Sequence, residues 1–262
     1  MIIRKSEREL EAMARAGEIV AEVLELMGQR IRAGVTTGEL DRVAETHIRA
    51  RGGVPTFKGF RGFPASICSS PNAMVVHGIP GPLRLETGDL LTIDVGVTLD
   101  GLVADSAYTF AVGEIDEDAQ RLLDACQAAL EAGIAEARPG HRVGDISAAV
   151  QRVTEDAGFS VVRTLVGHGV GRTMHEEPQI PNFGEPGRGP ELAPGMTLAI
   201  EPMITAGGPE VVLADDGWSI STADGSLSAH FEHTVAVSDN GPRVLTASSR
   251  LAMPHRAGSL LP

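Results

Sequence analysis

Apolar positions along the chain follow two spacings that alternate in blocks. From Ser6 to about Ile31, Leu10, Met13, Val20, Val23, Leu24 and Met27 recur at helical spacing, which predicts an amphipathic helix with one buried stripe. Ser6 and Glu9 at its start have the spacing of a capping box. A turn and a second helix follow in "RAGVTTGELDRVAETHIRARGG". A similar passage, "RPGHRVGDISAAVQRVTEDAGF", comes 106 residues later. Gly34, Gly38 and Gly52 match Gly140, Gly144 and Gly158, and Glu39-Leu40 match Asp145-Ile146. A helical stretch, roughly Asp116 to Ala137, precedes the second copy as well. Matched helices on both sides favour duplication over chance. The expectation is one domain, 1–262, with internal halves of about 5–112 and 113–250 and a C-terminal tail at 251–262.

After each helix pair the period shortens to that of strands. The first half contains "LLTIDVGVTL" and "LVADSAYTFAV"; the second contains "FSVVRTLV", "MTLAIEPMI" and "HFEHTVAV". Helices followed by antiparallel strands predict an α+β fold, with the helices covering one face of a curved sheet. Asp100-Gly101 marks a hairpin turn. A two-residue loop pairs Leu99 with Leu102, Gly96 with Asp105 and Asp94 with Ala107. Asp94 and Asp105 then become diagonal neighbours on one face, with backbones roughly 7–8 Å apart. A three-residue loop would shift that register.

Composition narrows the function classes. The net charge is −13 and aromatics are 3% of residues, so neither a basic footprint nor stacking platforms for nucleic acid are expected. Cys68 and Cys126 form no C-x-x-C pair, which fits a reducing compartment and excludes a cysteine-built zinc finger. No signal peptide and no membrane-spanning run is apparent. A cytoplasmic protein without membrane partners is the expectation.

The acidic residues in the strands point to chemistry. Asp94 sits between Ile93 and Val95, and a carboxylate in an apolar run needs a partner. Taken alone, it reads equally well as a structural aspartate held by backbone amides or an arginine. Glu201 in "GMTLAIEPM" and Glu232, read as mid-strand in "HFEHTVAV", pose the same problem. A lone strand glutamate usually faces solvent, but four such carboxylates together are harder to dismiss. The segment "GHGVGRTMHEEP", 167–178, adds His168 and His175 among three glycines. No histidine stands at the fourth position after His175, so this is not an H-E-x-x-H zinc helix. Asp94, Asp105, Glu201 and Glu232 with neutral His168 would balance two divalent cations, held roughly 3.5–4 Å apart with a bridging water. Such a donor set suits Mn, Fe or Co, with Zn also able to bind.

These residues, in this order, resemble type I methionine aminopeptidase, whose fold is called pita-bread. The resemblance runs from about residue 5 to 250. It rests on "HGIP" at 77–80, "IDVGVTLDG" at 93–101, "ADSAYTF" at 104–110, "GHGVGRTMHEEP", "GMTLAIEPM" at 195–203 and "DGWSISTADGSLSAHFEHTVAV" at 216–237. It implies a dimetal centre on Asp94, Asp105, His168, Glu201 and Glu232, with Asp105 and Glu232 bridging the ions. It further implies that a dimetal-bound hydroxide cleaves after the initiator methionine of a nascent chain whose second residue is small. The second cation would hold the substrate's free amine. By the same resemblance Glu201 passes the proton to the leaving amine. His175 stabilises the oxyanion, and His77 holds the next amide. Phe57, Phe60, Phe63, Cys68, Met174 and Trp218 would line the methionine pocket; as bare residues they read equally as core.

Met174 stands where the family has phenylalanine in "GRxFHEEP", and Phe57, Phe60 and Phe63 replace cysteine and two tyrosines of several bacterial relatives. Gly167, Gly169 and Gly171 are expected to let the backbone approach the metals and the peptide. Glu176 and Glu177 have no chemical role in this reading. His230 is at the site's edge and is not assigned as a ligand, while His233 points to the opposite strand face. Partners implied are methionyl peptides of nascent chains and the ribosome near its exit tunnel; a monomer is expected. Two competing readings are an Xaa-Pro dipeptidase on the same fold and a catalytically dead binding protein, which would typically have lost metal ligands.

Overall fold

The computed structural model describes residues 1–248 and 251. Apart from Leu251, the expected 251–262 tail lies outside the described residues. The first helix, α1 (Glu7–Arg30), starts at Ser6, whose side chain accepts the Glu9 N–H while Glu9 accepts the Ser6 N–H at 2.8 Å. The helix α2 (Thr37–Ala50) has the same reciprocal cap between Thr36 and Glu39. Both helices lay their apolar stripes on the hairpin β4 (Leu90–Leu99) and β5 (Leu102–Ala111). Met27, Leu40, Ile48, Leu91, Ile93, Val95 and Ala104 form one core there.

The second half repeats this arrangement. Helices α3 (Glu117–Ala135) and α4 (Val143–Asp156) pack on strands β9 (Thr197–Ile200) and β14 (His233–Ser238), with Leu122, Cys126, Ile146, Leu198, Ile200 and Val235 in a second core. The turns before α2 and α4 correspond closely. Gly34 and Gly140 are left-handed at φ 89° and 84°. Their N–H groups donate to Leu85 O and Leu192 O at 2.8 and 3.0 Å. The cap differs: Asp145 accepts the Arg142 N–H at 2.7 Å, but Arg142 has no side-chain oxygen to accept the Asp145 N–H in return.

Every strand pairing among the described residues is antiparallel. The β4–β5 hairpin closes with the expected two-residue loop, Leu99 opposite Leu102, Gly96 opposite Asp105 and Asp94 opposite Ala107. Asp100 and Gly101 have φ of 51° and 79°, the left-handed pair that matches the twist of a two-residue hairpin. On the side away from β5, β4 pairs with β1 (Val54–Pro55) and β2 (Cys68–Pro71). The other large sheet runs β15 (Gly241–Val244), β14, β9, β7 (Val166–Gly169), β8 (Glu176–Pro181). The halves meet where β5 lies against 230–234. The Thr109 hydroxyl donates to His230 O at 2.8 Å, the Ser106 hydroxyl to Glu232 O, and the Glu232 N–H to Ala107 O at 2.9 Å.

Two expected strands are broken, and a third stops where its proline limits the ladder. "FSVVRTLV" forms only β6 (Ser160–Val161) before the chain turns into β7. "MTLAIEPMI" splits into β9 and β10 (Met203–Thr205) around Glu201-Pro202, since proline lacks the ladder's donor. "HFEHTVAV" splits at Phe231-Glu232, between β13 (Ser228–His230) and β14. Glu232 is therefore not mid-strand. Its N–H leaves its own sheet to pair with Ala107, and the chain crosses between sheets at that point.

Candidate metal centre

All five expected ligand residues line one cavity of about 240 Å³ between the two halves. Asp94 and Asp105 reach it from the hairpin, Glu201 and Glu232 from the two strand breaks, and His168 from β7. Ligand atoms of Asp105, His168 and Glu232 all lie within 4.8 Å of one another. The Nε2 of His168 is 3.4 Å from Glu201 and 3.7 Å from Asp105. Thr234 fixes Asp105 from behind: its hydroxyl oxygen accepts the Asp105 N–H at 3.0 Å and lies 2.9 Å from Oδ1.

Electrostatics mark the cluster as built for cations. Burial, then repulsion from neighbouring carboxylates, raises Asp94, Glu201 and Glu232 well above the usual carboxylate range. Burial pushes Asp105 up to about 6, against the opposing Thr234 hydrogen bond. The Asp94 Oδ1 atom is buried and has no hydrogen-bond partner among the described residues. An arginine or backbone amide would satisfy that oxygen, and among the described residues neither stands against it. Four crowded carboxylates with an orphaned oxygen are costly as they stand, and divalent cations relieve both the repulsion and the missing contact.

The residues expected for substrate surround this cluster. Phe57, Phe60, Phe63, Cys68, Met174 and Trp218 line the same cavity, together with His77 and His175. Phe57, Phe63 and Cys68 form a small apolar cluster with Met174 and Trp218 packed on it. The Phe63 and Trp218 rings meet edge to face at 5.1 Å. His175 lies with its ring 4.4 Å from that of His168 and 5.5 Å from that of Phe60. Burial, His168 and Arg61 together lower His175 to about 4, so its imidazole is neutral near pH 7. His77 is also lowered, by burial and then by His175, and its φ of 61° is a left-handed conformation that a non-glycine residue adopts at a cost.

Between residues 11 and 239 the sequence matches metallopeptidase family M24. The chain belongs to that family. It is similar to a methionine aminopeptidase of Clostridium perfringens, 51% identical over 246 residues that span 94% of this chain and 99% of the relative. Among solved structures, it resembles that of a Rickettsia prowazekii methionine aminopeptidase at 39% identity, covering 94% and 100% of the two chains with a TM-score of 0.93. The Thermotoga maritima methionine aminopeptidase follows at 43% identity, 95% and 100% coverage and a TM-score of 0.92. The pita-bread fold is thus shown, and the resemblance drawn from the motifs holds. Membership in M24 implies divalent metal ions, and the buried group of Asp105, His168 and Glu232 could hold one.

The M24 site also holds features that the motifs did not disclose. Val76, Leu165, Val166, Met203 and Arg61 line the cavity too, and no local pattern distinguishes them from core or loop. The glycines of the "GHGVG" segment make room for neighbouring protein. A Cβ on Gly167 would lie 2.4 Å from Ala199 O, and one on Gly171 would lie 2.2 Å from Lys5 Cε. Glu176 is engaged after all, in an ion pair with Lys5 at 2.5 Å. His233 turns away as expected, 2.9 Å from the Thr246 hydroxyl. His230 is buried with both ring nitrogens lacking a hydrogen-bond partner among the described residues, and its Nε2 lies 3.9 Å from Glu201.

Proposed function

We infer that this chain is a type I methionine aminopeptidase, which removes N-terminal methionine from chains with a small second residue. The observation that carries this is the convergence of Asp94, Asp105, His168, Glu201 and Glu232 at the base of an apolar cavity, in a chain 51% identical to a methionine aminopeptidase. Those five residues would hold two divalent ions, Mn, Fe, Co or Zn, whose charge four carboxylates balance. When bound, the ions supply Lewis acidity and lower the pKa of a water toward neutrality.

The protein's own groups provide the rest. The pocket of Phe57, Phe60, Phe63, Cys68, Met174 and Trp218 fits one unbranched thioether side chain. His77 hydrogen-bonds the amide after methionine, and its constrained backbone holds the ring in place. His175, neutral, donates a hydrogen bond to the carbonyl oxygen as negative charge grows there. Glu201 takes a proton beside the reacting carbon and delivers it to the leaving amine.

The enzyme is proposed to act as a cytoplasmic monomer on chains leaving the ribosome. Net charge of −13 is consistent with no nucleic-acid substrate, and no described helix is long and apolar enough to cross a membrane. We further propose one catalytic domain of duplicated halves, about 5–112 and 113–250, supported by the matched Gly34 and Gly140 turns.

Reconstitution with single metals under anaerobic conditions, followed by cleavage of Met-Ala-Ser and Ala-Pro, tests the function. Release of methionine from the first is expected. Faster cleavage of Ala-Pro would indicate an Xaa-Pro dipeptidase, and folded, metal-loaded protein that leaves Met-Ala-Ser intact would refute the assignment.

A further inference from the structure

His175 occupies a stretch, 171–175, that belongs to no helix or strand. A backbone bond fixes its start, where the Val103 N–H donates to Gly171 O at 2.7 Å, but the rest needs a side chain to hold it, because a hydrogen-bond donor loses its effect when misplaced by an ångström. The next residue, Glu176, supplies that restraint. Its Oε1 accepts the N–H groups of Arg172 and Thr173 at 2.7 and 3.2 Å. The loop is thereby closed on itself, from the residue after His175 to those three and two positions before it. The Thr173 hydroxyl adds a bond to His175 O at 3.1 Å.

The other oxygen of Glu176 anchors this closed loop to a distant part of the chain. Oε2 lies 2.5 Å from Lys5 Nζ, 171 residues away in sequence. Both side chains are almost wholly buried, at 1% and 5% exposure. Lys5 is itself fixed, its N–H donating to Gly195 O at 2.6 Å. The lysine stem passes so close to Gly171 that any side chain at 171 would collide with it.

A buried ion pair is a weak device for stability, since desolvation offsets most of the attraction. It is a strong device for direction, because neither charge tolerates being unpaired. We propose that Lys5 and Glu176 are positioning residues for His175, so that the segment preceding α1 is part of the active site. This rests on the aminopeptidase reading above. The ion pair sets where the 171–175 loop lies, and Glu176 passes that constraint to the backbone on both sides of the His175 ring.

A double-mutant cycle on the full-length, metal-loaded protein tests this. Lys5→Met/Glu176→Gln and His175→Ala are made separately and together, and kcat and KM for Met-Ala-Ser are measured alongside metal content and Tm. The Lys5→Met/Glu176→Gln protein should lose about 10²-fold in kcat, with full metal and KM within about twofold. In the His175→Ala background the same changes should cost less than about twofold, because the group they position is gone. Losses that multiply in the combined variant, or wild-type kcat in Lys5→Met/Glu176→Gln, overturn the proposal. If that pair of changes prevents folding, Glu176→Asp, which keeps a charge for Lys5 but shortens the reach to the Arg172 and Thr173 N–H groups, is run through the same cycle. Wild-type protein that does not cleave Met-Ala-Ser refutes the functional reading. Cleavage by wild type with multiplying losses refutes only the positioning role.

Discussion

The Nδ1 atom of His168 lies 2.9 Å from the carbonyl oxygen of Gly169. A carbonyl can only accept, so the ring proton resides on Nδ1, and the bare Nε2 faces Glu201 and Asp105. Replacing His168 with alanine should leave the fold intact and weaken divalent-metal binding by at least about tenfold. Calorimetric titration with Mn or Co measures this; unchanged affinity would remove His168 from the ligand set.

Metal removal should make stability fall as pH rises. In the metal-free protein Asp94, Glu201 and Glu232 hold protons to higher pH than in the unfolded chain, through burial first and neighbouring carboxylates second. A group raised on folding contributes stability below its unfolded pKa and loses it as pH climbs through the folded one. Buried His168, His175, His230 and His233 act in the opposite sense, but only below their ordinary value of 6.5. Above pH 6.5 the carboxylates therefore set the slope, and the Tm of chelated protein should fall as pH rises. Metal-loaded protein should hold its Tm over the same interval, since the carboxylates are then ligated. Scanning calorimetry on both forms decides, and a rising Tm in the chelated form contradicts the account.

His175→Ala should retain metal and lose about 10²- to 10³-fold in kcat, the usual cost of one oxyanion donor. Elemental analysis alongside kinetics separates the two effects. Loss of metal in this variant would mean that His175 is a ligand instead.

Glu201 lies 3.4 Å from His168 Nε2 inside the cluster and is proposed both to ligate and to carry a proton. Glu201→Gln should therefore lower metal retention and turnover together. A variant with full activity would exclude the proton-transfer role.

The two matched turns differ in how tightly they are packed. A Cβ on Gly144 would lie 2.3 Å from Glu185 O and 2.8 Å from Arg188 O, whereas one on Gly38 would lie 3.0 Å from Gly81 O. Gly144→Ala should destabilise by about 1–3 kcal/mol, with a smaller loss for Gly38→Ala. Denaturant melts give the comparison, and a larger loss at Gly38 would reverse it.

Much of this protein is local chemistry, and that part was determined by sequence alone. Ser6 caps α1, and Asp100-Gly101 closes the hairpin with Gly96 opposite Asp105, because capping and turn geometry depend on residues only a few positions apart. The five proposed ligand residues were legible, four as carboxylates beside apolar neighbours and His168 as an imidazole among glycines. The tertiary structure decided what depends on distant segments meeting. It broke the strand at Phe231-Glu232, where the chain changes sheets, and brought Glu201 and Glu232 onto one cavity. It set Thr234 against Asp105 across 129 residues. It also gave Glu176 its partner: nothing near "HEEP" names Lys5, and only the packing of the N-terminal segment beneath that loop encloses the two charges together, out of water.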